Sequence, residues 1–138
     1  MSNLPLTGVR VLDFSRVLAG PFCSMMLADL GASVIKIEAP QIGDETRAWG
    51  APWVGNPDDR ISAYFACVNR NKRSITLNLK NPRAQEIATK LALKSHILIE
   101  NFKIGQMAGF GLDYESLTIK NPSLVYCSIT GFGQTGDY

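Results

Sequence analysis

Short apolar segments rich in β-branched residues alternate along this chain with segments whose apolar residues have helical spacing. The strand-like segments are residues 9–14, 33–38, 74–79, 96–100 and 124–129. The helix-like segments are residues 21–30, 61–69, 82–94 and 114–120, and a further short helix is predicted after Gly105. Strands that alternate with helices predict a mostly parallel, Rossmann-like α/β sheet with helices on both faces.

The carboxyl ends of the predicted strands are the expected ligand sites, because ligands of parallel sheets bind outside those ends. The rule selects four loops, at residues 15–20, 79–81, 101–105 and 130–136. The first of them, SRVLAG, leads from a strand into a helix, whose unpaired N–H groups suit a phosphate or a carboxylate. It is neither a GxGxxG motif nor a P-loop, so a plain turn between strand and helix is an equally good interpretation.

Two polar segments are candidates for anion binding. In NRNKRS, Arg70, Lys72 and Arg73 are predicted to precede the third strand, and Lys80 follows it. Clustered arginine and lysine suit a polyphosphate, although a solvated charged loop has the same composition. In GDETRAWG, Arg47 lies within a long loop, which indicates either a functional loop or a surface excursion.

Asp13 is an acidic residue inside an apolar predicted strand. A carboxylate is costly to bury there unless it is hydrogen-bonded. The pattern favours a structural role in holding the next loop, and a catalytic acid is the alternative.

Composition narrows the classes of protein to which the chain can belong. Its 138 residues, 46% of them hydrophobic, fit one folded domain. With 14 basic and 12 acidic residues, the net charge of +2 is too balanced for wholesale nucleic-acid binding. No stretch approaches the roughly 18 apolar residues of a membrane span. The N-terminal residues have the features of neither a secretory nor a mitochondrial leader.

The cysteines and the histidine indicate neither a disulfide framework nor a metal site. Cys23, Cys67 and Cys127 are widely spaced and form no CxxC pair, which is typical of free thiols in a reducing compartment. His96 has no companion at metal-ligand spacing. We expect a cytoplasmic protein, or a mitochondrial one if a transit peptide is missing from this sequence. Small molecules, rather than nucleic acid or a membrane, are the expected partners.

Several motifs stand in a fixed order along the chain: VRVLDFSRVLAGPFCSMMLADLGASVIKIEAP, GDETRAWG, NRNKRSITLNLK, ENF, FGLDYESL and SITGFGQTG. From about residue 6 to the end, this order resembles the N-terminal part of the family III CoA-transferases (CaiB/BaiF), which include formyl-CoA transferase and the α-methylacyl-CoA racemases. Within that family, RVLAGPF, GDETRAWG, VNRNKRSI and YCSITGFGQTG are most similar to succinyl-CoA:glutarate CoA-transferases. The resemblance implies that residues 1–138 are an incomplete N-terminal CoA-binding domain. It also implies that the full-length protein is a homodimer of interlocked chains.

The resemblance further implies a set of contacts with coenzyme A or acyl-CoA. They are the backbone of Val17, Leu18 and Ala19, the segment Leu77, Asn78, Leu79 and Lys80, and the residues Asn101, Phe102 and Lys103. Two positions that are often basic in the family are Ala39 and Gly109 here, and Ile104 replaces a frequent proline. We therefore expect Arg47, Lys103 or Arg73 to replace the missing cations, with Lys72 as a further basic contact.

The reaction that the resemblance implies is transfer of CoA from an acyl-CoA, such as succinyl-CoA, to a carboxylic or dicarboxylic acid without a metal. In the family an aspartate attacks the thioester to give a mixed anhydride and then an aspartyl-CoA thioester. That aspartate follows GFGQTG by a few tens of residues, and this sequence has two residues after the motif. Asp13, Asp29, Asp44 and Asp113 do not match its place. We therefore expect a truncated form that is inactive alone.

Three alternatives to a transferase fragment are open to the sequence. A racemase or dehydratase fragment of the same superfamily shares several of the motifs. A non-catalytic CoA-binding module that pairs with a longer homologue would also conserve the cofactor site. A generic Rossmann dehydrogenase is disfavoured, since no GxGxxG follows the first strand.

Overall fold

The computed structural model describes residues 4–136, so residues 1–3 of the predicted leader-free N-terminus and residues 137–138 of the glycine-rich tail lie outside the described residues. Seven strands are present in this range. They are β1 (Arg10–Asp13), β2 (Ser33–Glu38), β3 (Trp53–Val54), β4 (Ile61–Ser62), β5 (Lys72–Thr76), β6 (Ile97–Glu100) and β7 (Val125–Ser128). The helices are α1 (Ala19–Asp29), α2 (Ala63–Asn69), α3 (Pro82–Leu93), α4 (Gln106–Gly109) and α5 (Tyr114–Thr118), with a 3₁₀ turn at Glu45–Ala48.

Five of these strands form one parallel sheet in the order β5-β2-β1-β6-β7. Counted along the chain, this is the order 3-2-1-4-5, which matches the first five strands of the doubly wound nucleotide-binding fold. The strand order reverses between β1 and β6, and a crevice opens there outside the carboxyl ends of the strands. The structure confirms the expected α/β sheet of five parallel strands.

Two apolar layers cover the sheet, one on each face. Because successive side chains of a strand point to opposite faces, Val11 and Leu12 enter different layers. Val11 packs in the layer that contains Ala28 of α1. Leu12 packs in the layer that contains Ala88 of α3, together with Leu117 of α5. Burial on both faces explains the apolar character of the central strands β1 and β6, whereas the edge strand β5 is largely exposed.

Several helices begin at side chains that satisfy their free N–H groups. Asn81 accepts a hydrogen bond from the backbone N–H of Arg83, and Pro82 occupies the first turn of α3. Ser62 caps α2 in the same way, and Asp113 caps α5. No helix within residues 4–136 is long and apolar enough to cross a membrane.

The structure corrects three predicted boundaries. The third strand of the sheet, β5, runs from Lys72 to Thr76, because it pairs residue by residue with β2. Lys72 and Arg73 therefore belong to a strand and do not precede it. The helix predicted over residues 61–69 begins at Ala63, since the two residues before it form β4 of a short hairpin. Helix α1 begins at Ala19, two residues before the predicted start.

Candidate functional site

A cleft of about 290 Å³ opens at the carboxyl edge of the sheet. Its walls are Phe14 and Arg16 after β1, residues 37–40 at and after the end of β2, residues 77–80 after β5, and Phe102, Gln106 and Phe110 after β6. We call it the carboxyl-edge cleft. It lies beside the reversal of strand order, where the topology rule placed a ligand.

The turn after β5 brings its side chains into this cleft. The N–H of Leu77 donates to the carbonyl of Glu38 at 2.9 Å, which continues the pairing of β5 with β2 beyond Thr76. Asn78 then accepts from the N–H of Lys80 at 3.2 Å, and the chain turns into α3. Lys80 therefore stands at the mouth of the cleft, and Leu77 and Leu79 pack on the core below it.

Aromatic rings and two cations give the cleft its chemical character. Phe102 packs edge to face on Phe110, with ring centroids 6.1 Å apart. The guanidinium of Arg16 lies 5.4 Å from the centroid of Phe102. Arg16 also meets Glu45 at 3.4 Å, but this pair is solvent-exposed and contributes little. Apolar surface beside Arg16 and Lys80 suits a ligand with a flat ring system and phosphate groups.

The loop between β1 and α1 forms one side of this region and has an unusual backbone. Val17 adopts φ of +70°, which is a strained conformation for a β-branched residue and costs roughly 1–3 kcal/mol. The loop also packs closely on the helix that follows. A Cβ atom at Gly20 would overlap the side chain of Ser15, so position 20 has no space for a side chain. The surrounding contacts must therefore hold this loop firmly.

Asp13 holds the start of the loop, which confirms its expected structural role. Its carboxylate is fully buried and accepts hydrogen bonds from the N–H of Ser15 at 2.9 Å and from the hydroxyl of Ser24 at 2.5 Å. The hydroxyl of Ser15 donates to the same group. Lys72 approaches it at 3.3 Å. Burial lowers the pKa of Lys72 to about 8, although the charge of Asp13 opposes the shift.

A second buried ion pair, between Lys36 and Asp44, holds the middle of the loop. The two charged groups are 2.9 Å apart, and their side chains are at most 1% exposed. Lys36 donates to the carbonyl of Ser15 at 2.6 Å, and the N–H of Val17 points at the Asp44 carboxylate from 3.3 Å. Burial raises the pKa of Asp44, but the charge of Lys36 and hydrogen bonds from Thr46 outweigh it, and the pKa is lowered overall.

Glu38 connects the GDETR segment to the sheet. Arg47 donates two hydrogen bonds to this carboxylate, at 2.7 and 2.8 Å, and its guanidinium lies 3.8 Å from the ring centroid of Phe65. Ser74 and the N–H of Asp44 donate at 2.5 and 2.7 Å. Burial raises the pKa of Glu38, but these hydrogen bonds outweigh it and lower the pKa to about 2.

The structure brings part of the predicted cofactor site together. Leu77, Asn78, Leu79, Lys80 and Phe102 line the carboxyl-edge cleft. Val17, Leu18 and Ala19 lie in the neighbouring loop and are not among the lining residues. Asn101 joins the two groups, since its side-chain amide accepts from the N–H of Arg16 at 2.9 Å and donates to the carbonyl of Arg16 at 2.8 Å.

The other predicted residues point elsewhere. Arg47 and Lys72 are engaged with Glu38 and Asp13. Arg73 donates to the hydroxyl of Ser33 at 2.9 Å, at the opposite end of β2. Lys103 lines a second cavity, of about 420 Å³, between β6, α4 and α5. A contact of any of these residues with CoA stays a prediction.

Sequence reasoning missed Arg16 and Lys36. Arg16 directly follows the first strand, inside a loop that the topology rule had already selected, so its position was an available signal. Lys36 gave no such signal, because its buried partner Asp44 lies in a loop whose path the sequence does not predict. Within residues 4–136, no group of three or more His, Cys, Asp and Glu side chains is arranged to hold a metal ion.

A doubly wound sheet with an apolar and cationic cleft beside its switch point is typical of cofactor-binding α/β domains. Comparison with known proteins specifies the class further. The model of CoA-transferase family III matches residues 6–138, and the chain belongs to this family.

Individual relatives agree with the family assignment. A succinate–glutarate CoA-transferase of Agrobacterium fabrum is 53% identical over 136 residues, which cover 97% of this chain and 34% of the relative. The succinyl-CoA:glutarate CoA-transferase of Homo sapiens is 50% identical over 137 residues, which cover 99% of this chain and 30% of the relative. The crystal structure of a CaiB/BaiF family protein from Brucella suis superposes with a TM-score of 0.94 at 49% identity. The match covers 99% of this chain and 36% of the Brucella protein. The chain thus spans about a third of the length of these relatives.

Replacing Glu38 with glutamine tests the contribution of its hydrogen bonds. Because folding lowers its pKa from 4.5 to about 2, the carboxylate stabilises the fold fully above pH 4.5, and this contribution is lost as the pH falls toward 2. The shift corresponds to about 3 kcal/mol. In urea denaturation across this pH window, the wild-type free energy of unfolding should fall by roughly 2–3 kcal/mol more than that of Glu38→Gln. The exposed control Glu86→Gln should follow the wild type, and equal losses in all three proteins would refute the account.

Proposed function

We propose that residues 1–138 form the CoA-binding domain of a transferase that moves CoA from succinyl-CoA to a dicarboxylic acid. The observation that carries this proposal is the carboxyl-edge cleft, where residues 77–80 and Phe102 meet beside the switch point of the sheet. Membership of CoA-transferase family III supports a CoA thioester as the ligand. The activities for which the two relatives are named support succinate and glutarate as the acids. The protein acts in the cytoplasm or in mitochondria.

The phosphates of CoA lie against Arg16 and Lys80 in this proposal. Ala39 and Gly109 provide no cation at the two positions that are often basic in the family. Arg16 stands at the wall of the cleft and is 47% exposed, so it can turn toward a ligand by giving up only its weak pair with Glu45 and its contact with the ring of Phe102. Arg47 is less free to do so, since it would first have to leave a buried carboxylate.

The described carboxylates near the cleft are poor candidates for the transfer nucleophile. Asp13, Glu38 and Asp44 are all at most 5% exposed and accept several hydrogen bonds each. A nucleophile must reach the thioester carbonyl, and these groups would have to leave their partners to do so. Asp29 is paired with Arg70, and Asp113 caps α5. This arrangement supports a nucleophile outside residues 4–136.

An apolar stripe on α1 is the surface that we assign to a homodimer. Leu18, Phe22, Met26 and Leu30 follow one another at intervals of four residues, and each is 45–50% exposed. Residues at this spacing lie on one helix face, and an exposed apolar face of this kind is typical of an interaction surface. Assembly of two copies of the full-length protein would cover it.

Isothermal titration with CoA tests the phosphate contacts. Arg16→Ala and Lys80→Ala should each weaken binding about tenfold, because each removes a charge-assisted hydrogen bond of roughly 1–3 kcal/mol. Lys120→Ala removes an exposed lysine outside the cleft and should bind as the wild type does. Equal affinities for all four proteins, or no binding by the wild type, would contradict the proposal.

A turnover assay tests the position of the nucleophile. The purified 138-residue chain, incubated with succinyl-CoA and glutarate, should form no glutaryl-CoA, because the buried carboxylates beside the cleft, Asp13, Glu38 and Asp44, are held by hydrogen bonds. Binding of CoA in the preceding titration shows that such a chain is folded and competent to bind. Clear formation of glutaryl-CoA would place the nucleophile within this chain and refute this part of the proposal.

A further inference from the structure

Side chains from other elements bind the backbone of the β1–α1 loop around Val17, the residue of the loop with the least favourable conformation. Val17 has φ of +70°, a conformation that glycine adopts without cost and valine does not. Asn101 binds both the N–H and the carbonyl of Arg16, on one side of this residue. On the other side the chain enters α1 through Leu18, which has no side-chain cap. The strain is therefore compensated by tertiary contacts rather than by the local sequence.

The buried ion pair of Lys36 and Asp44 supplies further contacts to the backbone of this loop. Lys36 binds the carbonyl of Ser15 at 2.6 Å, two residues before Val17. Asp44, its partner at 2.9 Å, receives the N–H of Val17 on both carboxylate oxygens, at 3.3 and 3.4 Å. Two backbone groups on the N-terminal side of the strained torsion are thus bound to opposite members of the same pair.

Asp44 is itself placed by other contacts. Its own N–H donates to Glu38 at 2.7 Å, and its carboxylate accepts the hydroxyl of Thr46 at 2.7 Å. The adjacent Gly43 has φ of +68°, and a Cβ there would lie 2.8 Å from Glu38, so the segment can reach the loop only with glycine at this position. Asp44 therefore occupies a defined position before any ligand binds.

We propose that Asp44 and Lys36 are positioning residues, which hold Val17 in its left-handed conformation so that the loop backbone is presented to CoA. The ligand part of this inference rests on the proposed function. Without the pair, Val17 returns to a negative φ, the N–H groups at the start of α1 change direction, and CoA binds less well. Neither side chain has to touch the ligand.

Replacement of Asp44 by asparagine removes the negative charge with little change in volume. It should weaken CoA binding roughly tenfold, the effect of losing about 1.4 kcal/mol. Glycine adopts positive φ without steric cost, so Val17→Gly in the Asp44→Asn background should restore affinity to within about threefold of the wild type. Leu18→Gly is the matched control, because Leu18 has φ of −125° and needs no such relief. It should restore nothing.

A purely structural role for Asp44 predicts a different result. Both double variants would then be as weak as Asp44→Asn or weaker, since each adds a flexible glycine. Failure of Val17→Gly to restore binding in a folded protein would overturn the inference, as would wild-type affinity of Asp44→Asn. If Asp44→Asn does not fold, the double variant of Lys36→Met and Asp44→Asn removes both charges of the pair. This double variant then takes the place of Asp44→Asn in the same measurements.

A measurement without ligand separates this inference from the proposed function. A residue at positive φ brings its amide proton close to its own Hα, so the wild-type Val17 should show a strong intraresidue NOE between them. The NOE should weaken in Asp44→Asn, where Val17 relaxes to a negative φ. An unchanged NOE in Asp44→Asn would overturn the positioning role even if CoA binds. Absence of CoA binding to the wild type would refute the proposed function while this comparison still decides the role of the pair.

Discussion

Two lysines buried beneath the carboxyl edge of the sheet determine the shape of the candidate site. Lys36 and Lys72 have side chains that are at most 2% exposed, and each meets a fully buried aspartate. A charge in such a position is tolerated only when its partners satisfy it. Here the partners are Asp13, Asp44 and the backbone carbonyls of Ser15 and Pro21, so the ion pairs and the β1–α1 loop stabilise one another.

This constraint links segments that are far apart in the sequence. The loop after β1, the GDETR segment after β2 and the amino end of β5 meet around the same buried charges. Asn101 adds the end of β6 through its two hydrogen bonds with Arg16. The carboxyl-edge cleft lies against this framework, with Arg16 and Lys80 as its exposed cations. A buried, hydrogen-bonded base beneath a cleft with exposed cations is well suited to an anionic ligand.

The sequence predicts the architecture well, because the central strands contain short apolar runs and α3 begins at the recognisable cap of Asn81 and Pro82. It also predicts that residues 79–81 and 101–105 share one edge of the sheet, since both loops follow parallel strands. It does not predict the buried lysines. In the sequence, Lys72 lies between Arg70 and Arg73, a pattern typical of a solvated basic cluster. Its side chain is buried because of the register in which β5 pairs with β2. The sequence likewise does not predict that Arg47 is paired, because its partner Glu38 belongs to another element.

The short hairpin of β3 and β4 is also beyond sequence prediction. Each strand has two residues, which is too short for any alternation to be recognised. The family resemblance implies CoA as the ligand, and the pattern of strands and helices indicates only the edge of the sheet at which a ligand should bind.

We propose that CoA binds at the carboxyl-edge cleft rather than in the larger cavity between β6, α4 and α5. Backbone amide chemical shifts of the isotope-labelled protein, recorded during a titration with CoA, distinguish the two sites. We expect the largest changes at residues 16–20, at residues 77–80 and at Phe102. Changes concentrated instead at Lys103, Tyr114 and Tyr126, which line the other cavity, would contradict it.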